Sequence, residues 1–432
     1  MTNTREVILD ALMEILEKNQ YSHLVMAGVL EKYSFLEKQE RSFIKRVCEG
    51  TVEQKLRIDY VIDQFSKTKV RKMKPLIRTL LRMATYQILF MDGVPDAAVC
   101  NESVKLAAKR GFAPLKGFVN GVLRNISRGK DTITYPDRNA DEITYLSVMY
   151  SMPEEIITLL LAQYSPEETE QMLAAFLEKR PLTIRISEAL SEQEREALVT
   201  EMESEGIVVT RTELSYVYHL DKVDRVSAIP GYGEGKFVVQ DLGSAMVVEM
   251  ADIREGDFVT DVCAAPGGKA THAATKLRGS GHVLARDLTE YKVSLIEENI
   301  ERLGLANMAA EVWDATESDV TLEGKADVVI ADLPCSGLGV IGRKSDIKYR
   351  VTGESLEEVA QLQRDILSVV QCYVKPGGVL MYSTCTVNRG ENEENKDWFV
   401  ERYPFEAEEE KLMLPGRDGS DGFYMVRLRR MK

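Results

Sequence analysis

The feature that most constrains this chain is the alternation in its C-terminal half. From about Gly235 onward, short apolar runs of strand length are separated by helical stretches: FVTDV (258–262), HVLARD (282–287), AAEVWD (309–314), ADVVIAD (326–332) and GVLMYST (378–384). Strands that alternate with helices predict a mostly parallel, doubly wound sheet with helices on both faces. In such sheets ligands bind beyond the carboxyl ends of the strands, so the residues at those ends are read first.

At 432 residues the chain exceeds a single core and predicts two to four domains. Residues 1–140 show helical periodicity and no sustained strand pattern. Thr4 is placed to cap a first helix with Ile8, Leu9, Leu12, Ile15 and Leu16 on one stripe, and a longer helix is read over 37–65. Pro75 suits the opening residue of a third, where its missing N–H costs nothing. Two more are read at 97–109 and 115–126, closed by Gly111 and Gly129. Residues 141–234 read as a small α+β module and 235–432 as an α/β domain. The expected fold is therefore multi-domain, with an all-α region, an α+β module and a Rossmann-like domain in that order.

A formal charge of −14 argues against a nucleic-acid partner, but the sum conceals an asymmetry. Residues 1–140 hold 24 Lys and Arg against 16 Asp and Glu, a net of +8, while the rest hold 31 against 53, a net of −22. Lys67, Lys69, Arg71, Lys72 and Lys74 lie within eight positions, and Lys105, Lys109, Arg110, Lys116, Arg124 and Arg128 form a second group. A solvated helical face explains this pattern as well as an RNA-contacting surface does. No apolar run has the length of a membrane span, and the N-terminus has helical periodicity where a signal peptide would be apolar, so a cytoplasmic protein is expected. Four histidines without ligand spacing give a metal site little support, and six cysteines without a close pair are expected to be free thiols.

The first strand ends in DVCAAPGGKA, where Gly267 and Gly268 permit a tight turn without the spacing of a dinucleotide site. The second ends at Asp287, where an acidic side chain meets ribose hydroxyls. A ribose-bearing ligand with no pyrophosphate, such as S-adenosylmethionine, fits this pattern. Asp314 and Asp332 close the next two strands. Singly each Asp is more simply a turn former, but their succession favours a ligand. Cys335 follows the fourth strand and Cys385 the fifth, so both thiols project into one crevice. Carbon 5 of a pyrimidine accepts a methyl group only after a thiolate adds at carbon 6, and a second thiol can assist release. The DPPY-like motif of an amino-directed methyltransferase is absent; the chain has DLPC.

VCAAPGGK, DLPCSGLG with RKSDIKY downstream, and YSTCTVNRGENEEN together resemble the RsmB/Sun family of RNA (cytosine-5)-methyltransferases. LIRTLLRMATYQILF, AAVCNESVKLAAK and KGFVNGVLRNISR resemble the NusB-like RNA-binding domain that those bacterial enzymes carry. The resemblance implies a cofactor set of Cys263, Ala264, Ala265, Pro266, Gly267, Gly268, Lys269, Asp287, Asp314 and Asp332, with S-adenosylmethionine as cofactor. It makes Cys385 the nucleophile and Cys335 its partner in elimination, whereas analogy with DNA cytosine-5 methyltransferases would choose Cys335. It places Asp332 and Lys269 near the target base, and Gln240, Asp241 and Ser244 beneath the site. Leu333, Ala270 and Tyr349 depart from the family pattern. The implied activity is methylation of a cytosine in 16S rRNA, free or within a small-subunit precursor, by a monomer that needs neither metal nor membrane. The alternatives are methylation of another RNA such as tRNA, or an RNA-binding, antitermination-type factor with an inactive methyltransferase scaffold.

Overall fold

The computed structural model describes residues 3–432. The chain forms two compact units. The first runs to Leu177 and includes Ile341–Val351; the second comprises Glu178–Val340 and Thr352–Lys432.

The first unit is helical. Its opening helix, Thr4–Leu16, is capped one residue earlier than its sequence suggests, because the Asn3 side chain accepts the Arg5 and Glu6 amides at 3.0 and 3.2 Å. The long helix read over 37–65 is two, Lys38–Glu53 and Lys55–Phe65, parted at Gln54. A helix at Ser22–Lys32 escaped the sequence reading, because it buries only Met26 and so has little apolar periodicity. Pro75 does open a helix, Pro75–Phe90, whose Leu80, Leu81, Met83 and Ala84 are fully buried in the centre of the unit. Gly111 has the left-handed φ of a terminating glycine, +87°. Gly129 is needed for space instead, since a Cβ there would lie 2.4 Å from the Phe65 ring.

Ile341–Val351 completes this unit from far along the chain. Lys348 Nζ donates to the Glu53 carbonyl at 2.8 Å and the Tyr349 hydroxyl to the Val52 carbonyl at 2.8 Å, satisfying the last carbonyls of one helix. Arg350 donates to the carbonyls of Asn19 and Gln20, in the loop after the first helix, at 2.8 and 2.7 Å.

The second unit holds two sheets. The smaller contains β1 (Leu182–Ile186), β2 (Val208–Arg211), β3 (Val217–Asp221) and β4 (Phe237–Val239), all antiparallel in the order β2-β3-β1-β4. Residues 141–234 thus divide: the helices Glu142–Met149, Glu154–Gln163 and Pro166–Ala175 belong to the helical unit, and the strands to the second.

The larger sheet contains β5 (Phe258–Asp261), β6 (His282–Asp287), β7 (Met308–Val312), β8 (Ala326–Asp332), β9 (Val374–Thr384), β10 (Phe405–Met413) and β11 (Phe423–Arg430), ordered β10-β11-β9-β8-β5-β6-β7. Strands β5 to β9 pair in parallel; β11 runs antiparallel to both β9 and β10. The alternation in the sequence identified the first five strands. The last two were missed because β10 is an exposed edge, EAEEEKL, whose acidic residues read as solvated; Glu408 pairs there with Arg427 and Arg429 of β11. Strand order reverses between β5 and β8, which opens the crevice where such sheets bind ligands.

Candidate active site

The loop after β5 is shaped by Gly267, whose φ of +103° only glycine adopts readily, and it delivers the chain into the helix Gly268–Lys276. Asp287, at the end of β6 and 4% exposed, holds this loop in place: its carboxylate accepts the Ala265 amide at 2.9 Å and the Lys292 ammonium at 2.8 Å. Lys269, on the first turn of the helix, donates to Asp332 Oδ2 at 2.5 Å and to Ser244 Oγ at 3.1 Å. Ser383 Oγ donates to the other oxygen of Asp332 at 2.7 Å. Of the QDLGS residues, Ser244 therefore reaches the site directly, while Gln240 accepts from the buried Arg185 at 2.6 Å and lies against Gly268.

Asp314 lies two residues beyond β7, exposed to solvent. The Thr316 hydroxyl and amide, at 2.7 and 2.9 Å, hold its carboxyl below the usual carboxylate range. It bonds to none of the other predicted residues.

Sequence reading passed over Asp261, the last residue of β5. It is 1% exposed, and no hydrogen bond of normal geometry reaches either oxygen. Burial pushes its carboxyl up to about 7; Lys269 opposes the shift, and Asp332 and Asp287 add to it. A buried carboxyl short of donors beside two further carboxylates suits a cationic ligand, which S-adenosylmethionine is at both its ammonium and its sulfonium. The only signal in the sequence was its place immediately before the glycine loop.

β8 and β9 are parallel neighbours in which Asp332 pairs with Ser383, so the segments leaving them run side by side. Cys335 Sγ and Cys385 Sγ are 3.1 Å apart. The hydrogen bond to Cys385, then burial and the charge of Glu391, raise the Cys335 thiol well above its ordinary range. Gly339 threads between these segments: its amide donates to the Cys385 carbonyl at 3.0 Å, and a Cβ would meet the Gly422 carbonyl oxygen at 2.0 Å. Cys263 is raised by burial and by the same three aspartates, whereas Cys48, buried on its helix, is raised by burial and Glu49.

Away from the crevice, Glu188, Glu249 and His272 are spaced closely enough to ligate a metal. The Lys276 ammonium already bridges the two glutamates, at 2.9 and 2.5 Å, and supplies the charge a metal would. No helix among the described residues is long and apolar enough to cross a membrane.

Residues 248–429 match the family described as 16S rRNA methyltransferase RsmB/F, and residues 2–128 match the NusB family. The chain is 33% identical to the probable ribosomal RNA small subunit methyltransferase B of Bacillus subtilis, with 99% of each covered. It is 28% identical to ribosomal RNA small subunit methyltransferase B of Serratia proteamaculans, again with 99% of each covered. Among solved structures, PH0851 superposes with a TM-score of 0.84 at 24% identity, covering 100% of this chain and 99% of that one. NSun6 from Pyrococcus horikoshii, solved with SFG, superposes with a TM-score of 0.60 at 22% identity over 66% of this chain and 100% of its own. With a helical NusB region, a mostly parallel Rossmann-like sheet and a crevice fitted to S-adenosylmethionine, the chain belongs to the RsmB family of ribosomal RNA small subunit methyltransferases.

Proposed function

We propose that this protein transfers a methyl group from S-adenosylmethionine to carbon 5 of one cytosine in 16S rRNA through a covalent adduct with Cys385. The observation that carries the reading is the 3.1 Å approach of Cys385 and Cys335 at the ends of adjacent strands, beside Asp332 and Lys269. An enzyme that methylates an amino group has no use for two thiols in contact.

Cys385 is the nucleophile, because its TCT segment follows the pattern of the RNA family whose nucleophile stands there. The C6–S bond forms as the C5=C6 bond opens, which makes carbon 5 nucleophilic. The cofactor supplies an electrophilic methyl group on sulfonium. The carbon-5 proton then leaves to solvent with the assistance of Cys335; the C5–H electron pair restores the C5=C6 double bond, and the C6–S bond breaks with its electron pair returning to Cys385 as thiolate. Asp332, fixed by Lys269 and Ser383, selects cytosine through N3 and the exocyclic amine. The loop Cys263–Lys269, with Asp287, Asp314 and Asp261, holds the cofactor.

The target base must be single-stranded or flipped from its stack for carbon 6 to be reached. The helical region of residues 1–140 and the module of residues 141–234 would position the RNA, with Lys67 to Lys74 as the main phosphate contact and the cytoplasm as the working compartment. All five basic residues of that run are exposed.

Bisulfite sequencing of 16S rRNA from cells with and without the gene should show one cytosine losing its protection. Purified Cys385→Ala should form no adduct with RNA containing 5-fluorocytosine, whereas Cys335→Ala should form it. Adduct surviving in Cys385→Ala would reverse the assignment. A changed cytosine in tRNA but not in 16S rRNA would move the substrate.

A further inference from the structure

Glu391 belongs to the acidic stretch GENEEN after Cys385, which charge patterning alone assigns to solvent. Its side chain is fully buried, and no Lys or Arg pairs with it among the described residues. Neutral donors converge on it. The Ser336 amide and hydroxyl donate at 2.8 and 2.6 Å, Asn388 Nδ2 at 3.1 Å and Gln363 Nε2 at 3.2 Å, and Thr386 Oγ1 lies 3.4 Å away. Ser336 follows Cys335 and Thr386 follows Cys385, so one carboxylate ties together the two segments that carry the thiols. Ser336 and Thr386 also bond directly, Oγ to Oγ1, at 2.8 Å.

Both carboxylate oxygens accept from donors, the Ser336 backbone N–H among them, so an amide of the same length would turn its NH2 against donors and break half of the stitching. The carboxylate that this stitching requires also places its charge where it raises the Cys335 thiol. We propose that Glu391 is a positioning residue of the two-thiol reaction, which sets the spacing of Cys335 and Cys385 through Ser336 and Thr386 and uses its charge to distinguish them. The negative charge keeps the proton on Cys335 and leaves Cys385 to attack carbon 6. The proposal rests on the two-cysteine reading of the reaction.

The test compares full-length Glu391→Ala and Glu391→Gln with wild type, Cys335→Ala and Cys385→Ala. In Glu391→Ala, displacement of the Cys335 segment should lower turnover by about 10²-fold. Covalent protein–RNA adduct should persist on denaturing gels, as it should in Cys335→Ala. The same variant should lose the rapid Cys335–Cys385 disulfide that the azo oxidant diamide forms in wild type, where two thiols give up two protons and two electrons to the N=N bond. Glu391→Gln keeps the volume, removes the charge and gives up acceptance at one oxygen, so it supplies a second reading even if the alanine variant fails to fold. In a Cys385→Ala background it should move the alkylation profile of Cys335 to lower pH, a shift that stitching alone would not produce. An unmoved profile, or a folded Glu391→Ala with wild-type disulfide formation and no persistent adduct, would overturn the proposal. If Cys335→Ala itself trapped no adduct, the reading of the reaction would fail, while the disulfide and alkylation results would still judge Glu391.

Discussion

The thiol crevice and the basic run at Lys67–Lys74 are built on opposite terms. In the crevice the charged and polar groups are largely spent on one another: Lys269 on Asp332, Asp287 on the glycine loop, Ser336 on Glu391. In the basic run the side chains stand in water, and among the described residues only Lys69 has a carboxylate within 4 Å, Asp63 at 3.8 Å. The second basic group is different again, since Lys105, Lys109 and Arg110 are already paired with Glu102, Glu6 and Asp10. Chemistry here depends on placement to a fraction of an ångström, whereas phosphate attraction needs only unneutralised charge near the surface. The net charge of −14 could not reveal this, because it sums groups that are spent on each other with groups that are not.

This contrast can be broken experimentally, and the largest effect should come from the crevice. Lys269→Ala strands Asp332 and Asp261 in a site where Lys269 is only 8% exposed, and removing one member of a buried pair costs about 3–5 kcal/mol. Chemical denaturation should show this loss, with methyl transfer falling to background; a mild effect on both would mean that the site is wetter than its burial implies. Gly339→Ala should follow at about 1–3 kcal/mol, because its Cβ would run into the Gly422 backbone. Full stability in that variant would show that the cysteine segments yield.

The basic run should respond differently. Replacing Lys67, Arg71, Lys72 and Lys74 together with Ala should leave thermal stability near wild type and raise KM far more than it lowers kcat. The slope of log affinity against log salt should fall by about 3 if each side chain meets one phosphate. An unchanged slope would move the RNA contact elsewhere.

The last test is a pH dependence. Burial pushes the Asp261 carboxyl up from its ordinary 3.8 to about 7 in the folded protein, so between those values the folded state binds the extra proton. Its contribution to stability is therefore present at low pH and lost as pH rises toward 7. Asp261→Asn should flatten that part of the stability profile. A cationic cofactor displaces the proton, so affinity for S-adenosylmethionine should strengthen as pH rises through 7 in wild type and much less in the variant. Titration calorimetry across that range would show either outcome.

The parallel strands and the residues at their ends were legible because buried strands and tight turns write themselves into local sequence. Asp287, Asp332, Cys335 and Cys385 could be read from strand ends alone. What was illegible depends on distant partners. Glu391 looks solvated until Ser336 and Gln363 surround it, and Asp261 looks like a turn residue until Asp287 and Asp332 arrive beside it. Gly129 reads as a helix stop, although its constraint is the Phe65 ring. The strands β10 and β11 were hidden because an exposed, ion-paired edge has no apolar signature.

The excursion of Ile341–Val351 into the helical unit bears on how the chain is made. Lys348, Tyr349 and Arg350 donate to carbonyls at Glu53, Val52, Asn19 and Gln20, so the first unit to leave the ribosome lacks its final piece until synthesis has passed Val351. At about 5–20 residues per second, the wait between Leu177 and Val351 is roughly 10–30 s. Throughout that time the N-terminal helices persist with unsatisfied ends. The last contacts to form there are among the most distant in sequence that the chain makes, and contacts of that kind slow folding. Completion of the helical unit thus waits on synthesis of the segment that carries Cys335, which lies just ahead of Ile341.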